Sequence, residues 1–172
     1  MFFFRRKIQW DDLNSYLSEQ YRLELDSVHG PSHWQRVERV GMVLAEENGA
    51  DKEVVRLFSV LHDACRENEF FDELHGERGA ELAKLLQNKY YKLSKGQLEK
   101  LQYACANHAH GMISDDVTIG TCWDADRLDL GRVGEIPREE YLSTEAGKLY
   151  LRKGYSQKTT CSLGSSSCSA NH

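Results

Sequence analysis

The sequence lacks the features that mark secreted, membrane-spanning and nucleic-acid-coating proteins. Its 172 residues include no apolar run long enough to cross a bilayer. The opening MFFFRR has no basic region before its short aromatic run, so we predict no secretory signal peptide. The formal net charge is -5, so we expect no basic face for long nucleic acids. A small anionic ligand can still bind where a site is locally positive.

Cysteine pairing signals are also missing. The five cysteines are odd in number and no CxxC pair occurs, which indicates neither a disulfide framework nor a zinc ribbon. We therefore expect reduced thiols, a cytoplasmic location and no membrane partner. The oligomeric state stays open at this level.

Strand signals are absent as well, because no segment alternates cleanly and no Asn-Gly hairpin turn occurs. Apolar residues recur instead at helical spacing. The length suits one domain with a real core, and the 40% hydrophobic content is typical of a globular protein. We predict an all-α fold, a single compact helical bundle spanning residues 1–152. Residues 153–172 are rich in Ser and Thr and are predicted to form a flexible tail.

Capping signals mark several predicted helix starts. Ser32 and Gln35 stand in a capping-box relation at the start of one helix, and Asp51 is a candidate N-cap for the next. The only two prolines, Pro31 and Pro137, fall at predicted helix starts, where the missing N–H group is tolerated.

Ionisable residues lie on core-facing stripes near helix ends. Residues at i, i+3, i+4 and i+7 share one face of a helix, and Asp63 directly follows one of the stripe residues. The residues on such stripes are His33, His62, His108 and Asp126. Each taken alone has an ordinary structural explanation as a cap or a dipole-stabilised histidine.

Taken together these residues predict a metal site. Burying an ionisable group costs several kcal/mol unless something compensates its charge. If the helix ends converge, two imidazoles and two carboxylates meet at one point. Such a mixed nitrogen and oxygen set suits Mn, Fe, Ni, Zn or Mg, with positions left open for water and substrate.

Four segments carry a family resemblance: HGPSHWQRV, LFSVLHDACREN, LHGERGAELA and CWDADRLDLGR. They resemble the HD superfamily of metal-dependent phosphohydrolases, whose ordered H…HD…D pattern they follow across residues 28–134, the expected core of the domain. The resemblance implies a compact helical bundle of the HD-domain type with a divalent metal ion at its centre. The implied metal ligands are His33, His62, Asp63 and Asp126, with Asp124 as a competitor for the place of Asp126.

The resemblance also implies catalytic residues just after the HD pair. Polar side chains there contact the attacked phosphate or move its protons, and in this chain they are Arg66 and Glu67. The related alarmone hydrolases carry two adjacent acidic residues instead, so the Arg–Glu pair does not favour alarmone hydrolysis. We expect Arg66 to stabilise phosphoryl charge and Glu67 to carry protons. The candidate substrate-binding residues are His29, His75 and His108.

The predicted function is that of a metal-dependent phosphohydrolase acting on a phosphate ester or anhydride, with a nucleotide as the expected small substrate. One alternative is an HD-fold di-iron oxygenase, which uses extra histidines between the HD pair and the final aspartate. His75 and His108 lie in that interval, but His75 follows Asp63 closely, which counts against a two-metal arrangement. Two further alternatives are a nucleotide-binding module without turnover and a purely structural histidine cluster. The identity and number of the metal ions stay open.

Overall fold

The computed structural model describes residues 8–163, and for residues 155–163 it describes the backbone alone. Residues 1–7 and 164–172 lie outside the described residues, so the prediction of no signal peptide and the part of the predicted flexible tail from 164 to 172 stay predictions. Residues 153–163 of that predicted tail are helical, since they form the end of the last helix. Within the described range the chain forms α-helices and short 3-10 turns and no β-strand, which confirms the all-α prediction. The helices are α1 (Trp10–Gln20), α2 (Pro31–Asn48), α3 (Lys52–Leu61), α4 (His75–Leu86), α5 (Lys95–Asn107), α6 (Val117–Arg127) and α7 (Glu145–Leu163). None of these helices is both long and apolar enough to cross a membrane.

The helix starts agree with the capping signals in part. The Asp51 side chain accepts hydrogen bonds from the first backbone N–H groups of α3, so its prediction as an N-cap is confirmed. The predicted Ser32–Gln35 capping box is wrong. Helix α2 begins at Pro31, so Ser32 already lies inside the first turn and no side chain caps that end. Proline at the first helical position has no N–H group to satisfy, which reduces the need for a cap.

The last helix begins later than predicted. Pro137 precedes a short 3-10 turn, Glu139–Tyr141, and α7 starts only at Glu145. The segment between α6 and α7 is therefore irregular, with short 3-10 turns in place of the predicted helix start. This difference matters for function because residues of this irregular segment line the cavity described below.

Helix α3 lies at the centre of the bundle. Its residues from Val54 to Leu61 are buried apart from Arg56, and it packs against α2, α4, α5 and α6. Fully burying one Leu or Phe side chain contributes about 1.5–3 kcal/mol, so this helix anchors the fold. Its C-terminal end delivers His62 and Asp63 into the interior.

Helix α4 approaches that end closely because it carries glycine where it meets other backbone. A Cβ atom on Gly79 would lie 2.7 Å from the carbonyl oxygen of Leu61, and one on Gly76 would lie 2.6 Å from the carbonyl oxygen of Cys105. A side chain at either position would push α4 away. These glycines thus bring His75, the first residue of α4, next to the HD pair.

Replacing Gly79 with alanine should destabilise the protein by about 1–3 kcal/mol, since the new methyl group meets backbone that cannot rotate aside. The displaced carbonyl belongs to the residue before His62, so metal affinity should fall together with thermal stability. Thermal unfolding and metal titration of the variant measure both effects. The matched control is Gly96→Ala, because a Cβ atom at Gly96 has no neighbour within 4 Å. Equal stability of the two variants would contradict the close approach of α4.

Candidate metal centre

Three helices bring four ligand-type side chains to one point in the interior. His33 lies in the first turn of α2, His62 ends α3 and is followed by Asp63, and Asp126 lies in the last turn of α6. The Nε2 atoms of His33 and His62 are 3.1 Å apart. The Nε2 atom of His33 lies 3.6 Å from Asp63 Oδ2 and 3.3 Å from Asp126 Oδ1. The Nε2 atom of His62 lies 3.6 Å and 3.7 Å from the same two oxygens.

The hydrogen bonds on the far side of each ring assign the tautomers. His33 Nδ1 donates to Asp129 Oδ2 over 2.8 Å, and His62 Nδ1 donates to the carbonyl oxygens of Phe58 and Ser59, each 3.1 Å away. A neutral imidazole carries one N–H group. When both rings are neutral, both Nε2 atoms therefore present lone pairs to each other, an arrangement that repels unless a proton or a metal cation lies between them.

The spacing of these atoms fits a bound cation. Nitrogen and oxygen ligands lie about 2.0–2.2 Å from zinc, which places neighbouring ligands about 3.0–3.6 Å apart in common geometries. Two sets of residues in the described part of the chain have ligand atoms within 4.8 Å of one another: His33, His62 and Asp126, and His62, Asp63 and His108. The donor set therefore fits the metal that the sequence pattern implies.

The protonation states also suit a metal. Burial lowers the pKa of His62 to about 3, so this ring is neutral near pH 7. Burial alone would raise the pKa of Asp126, but its contact with the His33 imidazole holds the pKa far below its usual range. Burial would likewise lower the pKa of His33, yet Asp126 and Asp129 outweigh burial and raise it. The local field thus favours a positive charge between these groups, and a bound cation would replace the proton that the His33 imidazole otherwise tends to hold there.

Asp129 was not singled out as a functional residue by the sequence pattern. Its carboxylate accepts from His33 on one side and from Arg36 Nε, 2.8 Å from Oδ1, on the other. It therefore fixes both the orientation and the tautomer of His33. A carboxylate that orients a metal-binding histidine in this way makes the ring a stronger ligand.

Replacing Asp129 with asparagine should weaken metal binding by about 10–100-fold, because the amide no longer supports the tautomer with a free Nε2 lone pair. The fold should persist, since Asp129 lies beyond the end of α6. Metal titration followed by calorimetry measures the affinity. A variant with unchanged affinity would show that Asp129 does not orient His33.

Asp124, the competitor for Asp126, does not reach the cluster. Its carboxylate accepts from the backbone N–H groups of Ser143 and Thr144 over 2.6 and 2.8 Å, and from the Thr144 hydroxyl over 2.7 Å. Two positions along an α-helix differ by about 200° in direction, so Asp124 and Asp126 face opposite sides of α6. Asp124 instead holds the chain at the start of α7.

A second set of ligand atoms adjoins the first. The Nε2 atoms of His75 and His108 are 3.0 Å apart, and they lie 3.4 Å and 3.6 Å from Asp63 Oδ1. Both rings again engage backbone carbonyl oxygens through Nδ1, those of Asp72 and Cys105. When both rings are neutral, their Nε2 lone pairs also face each other. The short separation of His75 from Asp63 along the chain does not keep the two residues apart, which corrects the argument against a two-metal arrangement.

Asp63 belongs to both sets. Its Oδ2 atom faces His33 and His62, while its Oδ1 atom faces His75 and His108. The Oδ1 atom is buried and has no hydrogen-bond donor, which costs free energy if nothing else compensates it. Burial alone would raise the pKa of Asp63, but the imidazoles of His62 and His108 lower it well below its usual range. One carboxylate thus offers an oxygen to each of two candidate cation positions.

A cavity of about 400 Å³ opens onto the cluster. Asp63 and Asp126 form part of its floor, and apolar side chains with several arginines form its walls. Arg66 lies in the cavity wall and is only 7% exposed. Its Nε atom lies 3.8 Å from Asp63 Oδ1, close enough for an ion pair, and has no hydrogen-bond partner. The wall residues include Leu130, Arg132, Ile136, Arg138 and Tyr141.

The structure places the predicted proton carrier away from the cavity. The Glu67 carboxylate forms an ion pair with Arg22 and lies 4.0 Å from Arg78, on the outer surface. Helix α3 has already ended, and these two cations draw the side chain outward. Glu67 therefore does not reach the metal cluster, which corrects its expected position.

His29, unlike Glu67, lines the cavity. Its Nδ1 atom donates to Glu69 Oε2 over 2.8 Å, and the ring is buried beside the metal ligands. Burial lowers the pKa of His29, so the neutral ring offers its Nε2 lone pair. Glu69 was missed in the sequence because it follows the helix, where helical periodicity carries no information.

Comparison with known proteins gives information about the fold. No family model matches this chain, and no curated protein matches it. A solved structure from an uncultured Thermotogales bacterium, described as a predicted HD superfamily hydrolase, matches with a TM-score of 0.69. The match has 24% identity and covers 91% of this chain and 94% of that one. This chain therefore has the helical fold of that predicted HD superfamily hydrolase.

Proposed function

We propose that this protein is a metal-dependent phosphohydrolase of the HD type that acts on a small phosphorylated molecule. The observation that carries the proposal is the placing of Asp63. It lies between two pairs of facing imidazole Nε2 atoms, at the floor of an open cavity. The guanidinium of Arg66 lies beside it, with an Nε atom that has no hydrogen-bond partner. The solved structure with the same fold is described as a hydrolase, which supports the same conclusion.

His33, His62, Asp63 and Asp126 would hold one divalent ion, and His75 and His108 with Asp63 would hold a second. A bound divalent ion supplies Lewis acidity, polarises a phosphoryl oxygen and lowers the pKa of coordinated water from 15.7 to about 7. We propose a divalent ion from the group Mn, Fe, Ni, Zn and Mg, and a nucleotide as the small substrate.

The remaining cavity residues act on the substrate itself. Arg66 donates to phosphoryl oxygens as negative charge builds on them, and its burial strengthens that interaction. His29, oriented by Glu69, accepts a proton within the cavity through Nε2. Neither role needs Glu67, whose carboxylate is engaged on the outer surface.

A second candidate function is that of a di-iron oxygenase with the same fold. The pairing of His75 and His108 at Asp63 Oδ1 favours it, because that function requires ligands for a second ion. The buried Arg66, whose Nε atom has no hydrogen-bond partner, favours the hydrolase, since a guanidinium binds phosphate well. Iron bound in two equivalents with a mixed-valence optical band would favour the oxygenase.

A substrate screen tests the proposal directly. Purified protein is incubated with nucleotides and phosphate esters in the presence of Mn, Mg, Ni or Fe, and phosphate release is measured, with His62→Ala as the control. Release by the wild type alone supports the hydrolase. Stabilisation by a nucleotide without phosphate release would indicate a binding module instead, and equal activity in the variant would show that the site is elsewhere.

Removing metal should lower thermal stability. A ligand present at 100 times its Kd stabilises the folded state by about 2.7 kcal/mol, and each kcal/mol shifts Tm by about 2–4 °C in a domain of this size. Treatment with a chelator should therefore lower Tm by about 5–10 °C, and added Mn should restore it. A chelator without effect on Tm would instead support a structural histidine cluster.

A further inference from the structure

We propose that the cavity selects the phosphate of a monoester over that of a diester, and that Arg132 joins Arg66 in binding it. This inference rests on the proposed hydrolase function and narrows its substrate class. It assigns a phosphate-binding role to Arg132, which lies in the irregular segment after α6.

The guanidinium of Arg132 is held in one orientation by backbone. Its Nε atom donates to the carbonyl oxygen of Val28 over 2.9 Å, and Nη1 donates to that of Asp129 over 3.3 Å. The side chain is 10% exposed and lines the cavity. An arginine fixed in this way loses little conformational entropy when it binds a ligand.

The third nitrogen of Arg132 is left for a ligand. Nη2 lies 3.9 Å from Asp126 Oδ1, beyond hydrogen-bond distance. Arg66 lies at a similar distance from the second carboxylate of the cluster: its Nε atom is 3.8 Å from Asp63 Oδ1 and has no hydrogen-bond partner. Each carboxylate of the cluster thus has one largely buried guanidinium beside it that still has N–H groups to donate.

The charge of the two guanidiniums favours the more anionic phosphate. A monoester phosphate carries up to two negative charges on three terminal oxygens, whereas a diester carries one charge on two. Arginine N–H groups bind such oxygens through charge-assisted hydrogen bonds, which are about twice as strong as neutral ones. The carboxylate oxygens nearest to the two guanidiniums lie 3.8–4.0 Å away, too far for a hydrogen bond. A phosphate can therefore add charge-assisted hydrogen bonds, and the phosphate with more charge and more terminal oxygens gains more.

The reaction balances without any further reactant. The oxygen of water bonds to phosphorus and the bond from phosphorus to the ester oxygen breaks. The leaving oxygen takes up one proton from the water, so a monoester yields an alcohol and inorganic phosphate. No electron transfer is involved.

Kinetics on a matched pair of esters test the inference. The metal-loaded wild type, Arg132→Gln and Arg66→Gln are assayed with p-nitrophenyl phosphate and bis(p-nitrophenyl) phosphate. Because the two esters differ in intrinsic reactivity, the deciding quantity is the change in the ratio of their kcat/KM values. We expect each variant to lose about 100-fold on the monoester and about tenfold or less on the diester. The matched control is Arg39→Gln, at an exposed position on the outside of α2, and it should change neither value.

Equilibrium binding gives a second readout that does not depend on turnover. Calorimetry with inorganic phosphate and with dimethyl phosphate should show selective loss of inorganic phosphate binding in Arg132→Gln, in metal-free and metal-loaded protein alike. Arg132→Lys keeps the charge and should recover part of that binding, which separates binding from misfolding. Equal losses on both esters and both ligands would overturn the inference while leaving the hydrolase function intact. Hydrolysis of neither ester, nor of any other phosphate compound, by the wild type would overturn both.

Discussion

Replacing Asp63 with asparagine should abolish phosphate release and remove most of the bound metal. Asp63 offers one oxygen to His33 and His62 and the other to His75 and His108. Asparagine keeps the shape but supplies one neutral oxygen, so both candidate ion positions lose a charged ligand at once. We expect a loss of at least about 1000-fold in kcat/KM, since both nucleophile generation and phosphoryl polarisation depend on the ions. Metal content by elemental analysis and phosphate release measure the two effects.

The control for that experiment is Asp115→Asn, which makes the same chemical change at an exposed residue just before α6. It should keep both metal content and activity. If Asp63→Asn retained the metal content of the wild type, Asp63 could not link the two sets of ligands.

The second prediction is that the same substitution has opposite effects at the two aspartates of α6, Asp124 and Asp126. Asp126→Asn should lose metal and activity while keeping the fold, because Asp126 Oδ1 lies 3.3 Å from His33 Nε2 within the ligand cluster. Asp124→Asn should keep metal and activity but destabilise the fold. Its carboxylate accepts three hydrogen bonds at the start of α7. The NH2 group of an asparagine would face one of these donors and could not accept its hydrogen bond.

The expected cost of Asp124→Asn is about 1–3 kcal/mol, the usual penalty for a buried polar group left unsatisfied. At about 2–4 °C per kcal/mol this lowers Tm by several degrees, with metal stoichiometry unchanged. Thermal unfolding and elemental analysis of both variants give the comparison. Loss of metal in Asp124→Asn with retention in Asp126→Asn would reverse the assignment of the ligand.

Helical periodicity made it possible to predict from the sequence that the candidate metal ligands lie close together, and the structure brings them together. His33, His62 and Asp126 lie within helices or at their ends, so their spacing from apolar neighbours indicates which way they face. Periodicity could not choose between Asp124 and Asp126, because both lie on a helix that is buried on nearly every side. The hydrogen bonds from the start of α7 make that choice.

The predicted residues His29, Arg66, His75 and His108 line the cavity. The sequence did not identify the rest of the cavity wall, because most of that wall is irregular. Helix α3 ends at Leu61, so the directions of Glu67 and Glu69 depend on which cations and imidazoles they meet in three dimensions. Arg132 lies in a 3-10 turn, where its orientation depends on distant carbonyl groups such as that of Val28. Residues whose positions depend on tertiary contacts leave no periodic signal.

The most direct test is a crystal structure of protein loaded with Mn, with diffraction data collected to reveal anomalous scattering from the metal. We predict a strong anomalous peak between His33 Nε2, His62 Nε2 and Asp126, with Asp63 in contact. An ordered cluster of the same side chains with no anomalous peak, in protein saturated with the metal, would contradict the account.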